Sequence, residues 1–458
     1  MFSKSNRFHV GAFAGFLFLL SLGVRSQVPT DEQIIAKTNE YMAAVEKTDK
    51  FSGTILIARD GKPVVSKGYG MANYEWGIAN TPQTVFRLGS ITKQFTSAAI
   101  MLLQERGKLT VNDAACKYVA DCPAAWEPIT IKQLLSHTSG IPNYTSFPEF
   151  TKKAMMPIST TDLMADYRSK PLDYVPGEKY AYSNSGYHLL GLIVEKASGK
   201  GYAEFLQENI FTPLGMTQTG YDNPETLIKW RANGYAKKGD GFVNAAYMDM
   251  LQPYAAGALY STTGDLLIWD QALLSEKLLK QKSLDEMYTP VKGNYAYGWS
   301  VGKRGTHKLI GHGGGIYGFA TQISRFPDDR VTVVVLSNVQ GAGVGAVANN
   351  LSAIAFGEPA TLPKERKAIT LPSATLDRYV GEYQLLPDVI ATVTHEAGKL
   401  FIRMTGQGNL ELFAETEKDF FLKVVDAQVS FETDASGKAT KLLFKQGGGG
   451  GMPAPKIK

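Results

Sequence analysis

GSITKQFTSAAIMLLQERG, residues 89–107, is an apolar stretch that carries a serine and a lysine near its start. Apolar side chains surround it on nearly every side, which is typical of a buried helix, and Gly107 ends the pattern. Because positions i and i+3 share one face of a helix, the side chains of Ser90 and Lys93 should lie side by side. The stretch therefore predicts a buried helix that opens with a paired hydroxyl and amine.

A lysine in the first turn of a buried helix is electrostatically unfavourable. The positive end of the helix dipole disfavours a cation there, and burial disfavours the charged form. Both effects lower the pKa of Lys93 and favour the neutral amine that a general base for Ser90 requires. The pair alone is also compatible with a serine cap followed by a solvated lysine. A second instance, Ser300-x-x-Lys303, lies in a strand-like stretch, where an offset of three places the side chains on opposite faces.

Two further motifs carry side chains suited to the same chemistry. Tyr182-x-Asn184 precedes an apolar helix; a phenol near a lysine can relay protons, and an amide can hold a lysine or a substrate carbonyl. His312-x-Gly314 lies on a predicted strand and is followed by Gly315, where glycines leave room for a substrate backbone and free N–H donors. Each motif alone is also compatible with packing: a turn with a buried aromatic, or a strand histidine.

The order and setting of the three motifs are more specific than any one of them. Ser-x-x-Lys on a helix, Tyr-x-Asn on a loop and His-x-Gly on a strand resemble the penicillin-recognising serine hydrolases, which include class C β-lactamases, DD-peptidases and related esterases. The resemblance covers about residues 30–357. Accessory stretches also match, namely LLSHTSGIP (134–142), AAGALYS (255–261) and YGW (297–299).

The resemblance implies roles for the catalytic residues. Ser90 is the nucleophile, Lys93 is its base, and Tyr182 passes the proton to the leaving group and helps to activate the deacylating water. No metal or organic cofactor is implied. His137, within the first accessory stretch, and His188 are interpreted as structural. The resemblance thus implies a serine hydrolase that acts on amide or ester bonds through an acyl-enzyme.

The resemblance also implies the substrate-binding residues. Asn184 positions the lysine and the substrate amide, His312 and Gly314 border the substrate, and the backbone N–H groups of Ser90 and Gly315 form an oxyanion hole. Class C β-lactamases usually carry lysine where this chain has His312. A histidine is largely neutral near pH 7 and attracts a substrate carboxylate less strongly. Acylated D-amino-acid peptides or small esters are therefore expected in preference to β-lactams.

Two functions other than that of an enzyme are also compatible with the sequence. One is a penicillin-binding sensor that is acylated, or only docks a ligand, without turnover. The other is a wall-binding or partner-binding protein in which the C-terminal segment is the functional unit. Intact motifs favour the enzyme.

The distribution of strands and helices predicts an α/β (α+β) fold. Strand patterns flank Asp60-Gly61, a strong hairpin turn, and return at residues 309–337, whereas helical patterns fill the chain between them. The simplest assembly is one antiparallel sheet, built from both ends and flanked by helices, with an inserted all-helical lobe. This serine hydrolase domain is predicted to span residues 27–357.

The chain beyond residue 357 changes in composition. Residues 358–375 include EPATLPKERKAITLP, whose three prolines indicate a linker. Residues 376–446 alternate apolar and polar side chains, with turn signals about every ten residues, which predicts a small all-β, barrel-like domain. Residues 447–458 are rich in glycine and proline and are predicted to be a flexible tail.

Composition restricts the class of partner. The 458 residues are 44% apolar and 20% charged, with a formal net charge of +5. Lys4, Arg7 and Arg25 supply three of those charges, and no basic run follows, which argues against a nucleic-acid partner. The expected partner is a small-molecule or peptide substrate, including cell-wall fragments.

The first 26 residues predict an export signal. Lys4 and Arg7 precede VGAFAGFLFLLSLGV (residues 10–24), and Ser26 provides a small residue before the predicted cleavage point. The apolar core is shorter than the roughly 20 residues that span a bilayer, so no membrane span is expected after cleavage. An uncleaved anchor is the alternative. A periplasmic or secreted protein is predicted.

The only cysteines, Cys116 and Cys122, lack the spacing and the partners of a zinc site. In an oxidising compartment they are expected to form a local disulfide, although two unpaired small residues would fit the sequence as well.

Overall fold

The computed structural model describes residues 1, 28–239, 241–363, 366–386, 389–405, 408–422, 427–446 and 451–458. The predicted export signal lies outside the described residues apart from Met1. Within the described ranges, no helix combines the length and the apolar character needed to cross a membrane.

The α-helices of the described residues all lie, except for the last, in the predicted hydrolase region, residues 27–357. They are α1 (Asp31–Asp49), α2 (Thr92–Glu105), α3 (Ile131–Leu135), α4 (Phe150–Lys153), α5 (Thr160–Arg168), α6 (Asn184–Ser198), α7 (Tyr202–Leu206), α8 (Thr212–Leu214), α9 (Tyr254–Gly257), α10 (Thr263–Ala272), α11 (Gln281–Tyr288), α12 (Val344–Ala355) and α13 (Ser373–Leu376). A single-turn 3₁₀ helix, Gly89–Ile91, leads directly into α2.

The strands fall into a hydrolase set and a C-terminal set. The first set is β1 (Gly53–Arg59), β2 (Lys62–Tyr69), β3 (Met71–Asn73), β4 (Ile78–Ala79), β5 (Phe86–Arg87), β6 (Gly220–Tyr221), β7 (Tyr235–Lys238), β8 (Gly241–Asn244), β9 (Leu259–Ser261), β10 (Ser300–Arg304), β11 (His307–Ile316), β12 (Phe319–Phe326), β13 (Val331–Ser337) and β14 (Val339–Gln340). The second set is β15 (Gly381–Leu386), β16 (Val389–Glu396), β17 (Lys399–Met404), β18 (Leu410–Ala414), β19 (Asp419–Phe421), β20 (Ala427–Thr433), β21 (Ala439–Gln446) and β22 (Met452–Pro455).

The central sheet joins the two ends of the hydrolase region. Its order is β10-β11-β12-β13-β1-β2, and the adjacent pairs are antiparallel. Alternate residues of β1 face opposite layers: Ile55 and Ile57 pack in the core shared with α1 and α12, whereas Leu56 and Ala58 pack in the larger core on the other face. The predicted sheet between helical layers is therefore confirmed.

The inserted lobe differs from the prediction because it is not purely helical. It contributes β6 and β9 to the small sheet β5-β9-β6, and β7 and β8 to the small sheet β14-β7-β8. A strand of two residues such as Gly220–Tyr221 is too short to show a periodic pattern. Its pairing partner, β9, lies far along the chain, so the local sequence does not reveal it. Within this lobe the sulfur atoms of Cys116 and Cys122 are bonded to each other.

The C-terminal strands form a nearly closed antiparallel barrel of eight strands, in the order β15 to β22. The first and last segments meet where Tyr383 pairs with Lys456. A separate apolar core fills the barrel and includes the rings of Tyr379, Tyr383 and Phe431. The barrel-like prediction is confirmed for this domain.

The predicted flexible tail, residues 447–458, is wrong for its last part. Met452–Pro455 is strand β22, which pairs with β21, and the side chain of Ala454 is buried in the barrel core. Prolines fit here because of strand alternation: the N–H of Lys456 donates to Thr440 of β21, whereas the N–H of Ile457 points to β15. Pro453 and Pro455 share the direction of Ile457, so neither removes a donor from the β21 ladder.

The predicted linker, residues 358–375, is also partly incorporated into the barrel. The N–H of Ile369 donates to the carbonyl of Ala414 on β18 (2.8 Å), and Arg366 forms an ion pair with Glu415. These contacts extend the C-terminal domain toward residue 366, ahead of the predicted start at residue 376. The prolines of the segment suggested a linker. Its composition could not show these contacts, because they are made with a strand that follows much later in the chain.

Candidate active site

Glycines allow two segments to approach unusually closely at the C-terminal half of β11. Gly89 has φ of +55°, and a Cβ atom there would lie 2.9 Å from the nitrogen of Gly315. A Cβ atom on Gly314 would lie 1.9 Å from the carbonyl oxygen of Leu88, closer than any real contact. The same carbonyl accepts a hydrogen bond from Thr321 on β12 (2.7 Å). The backbone of β11 is thereby held against the turn that presents Ser90.

The amine of Lys93 lies at the centre of the predicted constellation. Its Nζ is 3.1 Å from Ser90 Oγ, 2.8 Å from Asn184 Oδ1 and 2.9 Å from the carbonyl oxygen of Ala256. The lysine is fully buried, and burial lowers its pKa well below the usual range. A neutral amine has two hydrogens, which match the two short contacts to the amide and carbonyl oxygens. Its lone pair is then left for the hydroxyl proton of Ser90.

Tyr182 lies against the same amine. Lys93 Nζ is 4.8 Å from the centre of the Tyr182 ring. Burial raises the pKa of the phenol, and a hydrogen bond with Ser90 lowers it by a smaller amount. The net pKa lies above the ordinary value, so the phenol is protonated near neutral pH. A protonated hydroxyl beside the nucleophile can donate to a leaving group, which is the role that the motif predicted.

Two side chains that the sequence analysis did not select hold Asn184 in place. Its Nδ2 donates to Thr145 Oγ1 (3.1 Å), and its backbone N–H donates to Asn143 Oδ1 (3.0 Å). These contacts direct Oδ1 toward Lys93. Both residues directly follow the accessory stretch that ends at residue 142, so the resemblance was the only signal that could have located them.

The nucleophile and the predicted oxyanion donor face a common cavity of about 390 Å³. Gly89, Ser90, Asn184 and Gly315 form its catalytic wall. A second wall is apolar and comprises Tyr144, Phe150, Met248, Ile316, Tyr317 and Phe319. A Cβ atom on Gly315 would meet no atom within 4 Å, which agrees with its exposed position at the cavity wall. The arrangement offers room for an acyl group beside the serine.

His312 is not among the residues that line the cavity beside Ser90, whereas the resemblance implied a residue that borders the substrate. It is buried, its Nδ1 lies 2.6 Å from the carbonyl oxygen of Gly313, and its Nε2 lies 2.8 Å from the hydroxyl of Tyr295. The carbonyl can only accept, so Nδ1 carries the hydrogen and Nε2 accepts from the phenol. Burial, with a smaller effect from Lys93, lowers the pKa of His312 to about 4.

His137 and His188 are both enclosed by aromatic rings. The His137 ring centre is 4.2 Å from that of Tyr182, and its Nδ1 accepts from the backbone N–H of Ser183 (3.2 Å). His188 Nδ1 lies 2.7 Å from the hydroxyl of Tyr167. These contacts fit the structural roles expected for both. Among the described residues, no cluster of three His, Cys, Asp or Glu side chains forms a metal site.

Comparison with known proteins agrees with this geometry. The beta-lactamase family matches residues 38–356, and the family "Domain of unknown function (DUF3471)" matches residues 365–450. Penicillin-binding protein 4* of Bacillus subtilis (strain 168) is 30% identical over 427 residues, which cover 87% of this chain and 94% of the relative.

Solved structures give the same relationship. The octameric penicillin-binding protein homologue of Pyrococcus abyssi superposes with a TM-score of 0.64 at 26% identity, covering 92% of this chain and 99% of its own. D-amino acid amidase of Ochrobactrum anthropi superposes with a TM-score of 0.58 at 25% identity, and the match covers 68% of this chain and 91% of the amidase. The match spans the Ser90, Lys93 and Asn184 constellation described above, and the chain is therefore a serine hydrolase that belongs to the beta-lactamase family.

Proposed function

We propose that this protein hydrolyses amide or ester bonds through an acyl-enzyme on Ser90, with acylated D-amino-acid peptides or small esters as substrates. One observation carries the proposal: the buried Lys93 amine is shared among Ser90 Oγ, Asn184 Oδ1 and the carbonyl of Ala256. Burial lowers the pKa of this amine well below its usual range, which favours the neutral form. The geometry supplies a general base next to a hydroxyl nucleophile.

Acylation then proceeds with a balanced proton transfer. Ser90 Oγ attacks the substrate carbonyl carbon while its proton passes to Lys93 Nζ. The developing oxyanion accepts hydrogen bonds from the backbone N–H groups of Ser90 and Gly315, each worth about 3 to 4 kcal/mol in comparable enzymes. The proton reaches the leaving nitrogen or oxygen through Tyr182, and the bond from the carbonyl carbon to that atom breaks.

Deacylation reverses the proton path. Tyr182 gives its hydroxyl proton to Lys93 Nζ as it takes a proton from a water molecule, and the resulting hydroxide attacks the acyl carbon. The second tetrahedral intermediate breaks down when the Ser90 ester bond cleaves, and Ser90 recovers its proton from Lys93. Asn184, which is held by Thr145, keeps the amine of Lys93 in position during both steps.

The names of similar proteins support the choice of substrates. One structural neighbour is named a D-amino acid amidase, and the relative in Bacillus subtilis is named a penicillin-binding protein. β-Lactams are the second candidate substrates, and the name of that relative favours them. A sensor that is acylated without turnover stays an alternative, because slow deacylation would leave the same site geometry.

We also propose that the protein is exported, to the periplasm or beyond. The sequence of residues 1–26 supports this, as does the disulfide between Cys116 and Cys122, since such bonds persist in oxidising compartments. Fractionation of cells that produce the full chain, with intact-mass measurement of the mature N-terminus, would test it. A protein retained in the cytoplasm with its first residues intact would contradict the proposal.

The deciding experiment treats the purified protein with three probes: a nitrophenyl ester, an acyl-D-Ala-D-Ala peptide and a fluorescent β-lactam. Adduct mass is followed over time, with Ser90→Ala as the control. A transient adduct on Ser90 with product release supports the hydrolase, whereas an adduct that persists for hours with every probe supports the sensor. No adduct and no turnover with any probe would contradict both.

A further inference from the structure

We infer that the active site selects substrates that carry no carboxylate next to the scissile bond: esters, amides and internal peptide bonds. The inference rests on the proposed function and specifies its substrate class. It separates this chain from an enzyme that removes a free C-terminal residue, because such a substrate presents a carboxylate one residue from the attacked carbonyl. It also separates the chain from an efficient β-lactamase, since β-lactam antibiotics carry an acidic group beside the ring.

The basic side chains behind Ser90 are already engaged by the protein. Lys93 bonds to Asn184 and Ala256 and is the base for the nucleophile. His137 is packed against the ring of Tyr182 and accepts from a backbone N–H. Both are buried, and burial lowers the pKa of each well below its usual range. Neither supplies a cation that a substrate carboxylate could reach.

The resemblance places His312 where class C β-lactamases usually carry a lysine. Both of its ring nitrogens are occupied, one by the carbonyl of Gly313 and the other by the hydroxyl of Tyr295. A carboxylate only accepts hydrogen bonds, so it would have to displace the Gly313 carbonyl to reach the single ring N–H. The site therefore offers a carboxylate neither a charge nor a free donor from this histidine.

The cavity itself offers no substitute for the missing cation. None of the residues that line it, all of them in the described part of the chain, carries a charged side chain. Its walls are largely aromatic or aliphatic, and the polar exceptions are Ser90, Thr145, Asn184 and Gln340. A carboxylate placed here would lose its hydration without gaining a charged partner, and neutral donors in the wall offset only part of that cost. A carboxamide or an ester of the same shape avoids that loss.

The test compares two substrates that differ only in charge: N-acetyl-D-Ala-D-Ala and its C-terminal carboxamide. For the wild-type protein, kcat/KM should be at least about 10-fold higher for the carboxamide, because only the acid must be desolvated without a charged partner. Equal rates, or faster hydrolysis of the acid, would overturn the inference.

A charge placed at the cavity wall should weaken the preference. Gln340 lines the cavity and is exposed to solvent. The substitution Gln340→Lys can therefore bring an ammonium group to the site without burying it. The ratio of kcat/KM for acid to carboxamide should rise on the order of 5-fold. Gln340→Met, which has similar length and no charge, is the matched control and should not raise the ratio. A ratio that Gln340→Lys leaves unchanged would overturn the inference, because the preference would then not arise from a missing charge.

The nitrophenyl ester separates this inference from the proposed function. An ester-derived adduct on Ser90 together with a preference for the acid peptide would overturn only the inference on charge. Absence of the Ser90 adduct, with neither peptide hydrolysed, would overturn the proposed function and the inference with it.

Discussion

The two Ser-x-x-Lys segments of this chain have the same residue types at the same spacing and opposite outcomes. On the 3₁₀ turn and α2, Ser90 Oγ and Lys93 Nζ lie 3.1 Å apart, and the lysine is fully buried. On β10, an edge strand of the central sheet, Ser300 and Lys303 are exposed and alternate across the strand. Helical spacing brings the two groups together, and burial changes the chemistry of the amine. The motif is therefore reactive only in its structural setting.

Replacing the serines should separate the two settings most strongly. Ser90→Ala should lower kcat/KM for a nitrophenyl ester by on the order of 10³-fold or more and abolish the covalent adduct, since nucleophile and base act as a unit. Ser300→Ala should leave both unchanged. Intact-mass measurement after reaction checks the first claim directly, and an adduct retained by Ser90→Ala would refute the assignment.

Replacing the lysines tests the base. Lys93→Arg should be nearly inactive, about as impaired as the serine variant, because a guanidinium cannot accept the proton. Lys303→Arg, on the exposed strand, is the control and should retain activity. Steady-state rates on the same ester measure both, and an active Lys93→Arg protein would rule out the proposed base.

The pH profile of the wild-type protein gives an independent readout of the same amine. Lys93 must lose its proton to act, so kcat/KM should rise with pH along a single alkaline limb. Because burial lowers the pKa of Lys93, the midpoint should fall well below 10.5, the ordinary value for a lysine. A limb centred at 10.5 or above would show that the amine is solvated and charged at neutral pH.

Much of this contrast could be predicted from the sequence because it depends on local period. The apolar run after Lys93 indicated a buried helix, and alternation indicated the strand that carries Lys303. The contacts that refine the site depend on tertiary structure. Thr145 reaches Asn184 across 39 residues, and Tyr295 reaches His312 from a loop without a periodic pattern. The resemblance placed His312 beside the substrate, and only the structure shows that both of its nitrogens are engaged.

Close packing of β11 against the 3₁₀ turn offers a further test of the helical setting. Gly314→Ala would place a methyl group 1.9 Å from the carbonyl oxygen of Leu88, so the strand must move, and the free energy of unfolding should fall by about 3 kcal/mol. Gly315→Ala meets nothing within 4 Å and is the neighbouring control, with a change below about 1 kcal/mol. Urea unfolding of both variants measures the difference; equal stability would mean that the close approach is not rigid.

Burial of a basic group near Ser90 should also appear in the pH dependence of stability. The pKa of His312 is lowered to about 4, whereas in the unfolded chain it is near 6.5, so the unfolded state binds more protons as pH falls below 6.5. Stability is lost along that range, by about 2 kcal/mol for this residue at pH 5. His312→Gln cannot take up the proton, so its unfolding free energy should fall less between pH 7 and pH 5. Lys93 and His137, which face the same cluster, still contribute in the variant. An identical fall in both proteins would show that His312 titrates normally.

The smallest effect is expected from the C-terminal barrel, which contains neither motif. Its core contains Tyr379, Tyr383 and Phe431 and is separate from the two cores of the hydrolase region, which should allow that region to fold alone. A chain that ends at Gly357 should form the Ser90 adduct and hydrolyse a nitrophenyl ester within about two-fold of the full protein.

Affinity should fall only for large substrates, such as cell-wall fragments, that extend from the active site to the barrel. If the barrel only covers an apolar face, its removal lowers stability and solubility and leaves the ratio of large to small substrates unchanged. A shortened protein that folds, as judged by circular dichroism, but loses activity on the small ester would place part of the active site in the barrel and contradict the separation argued here.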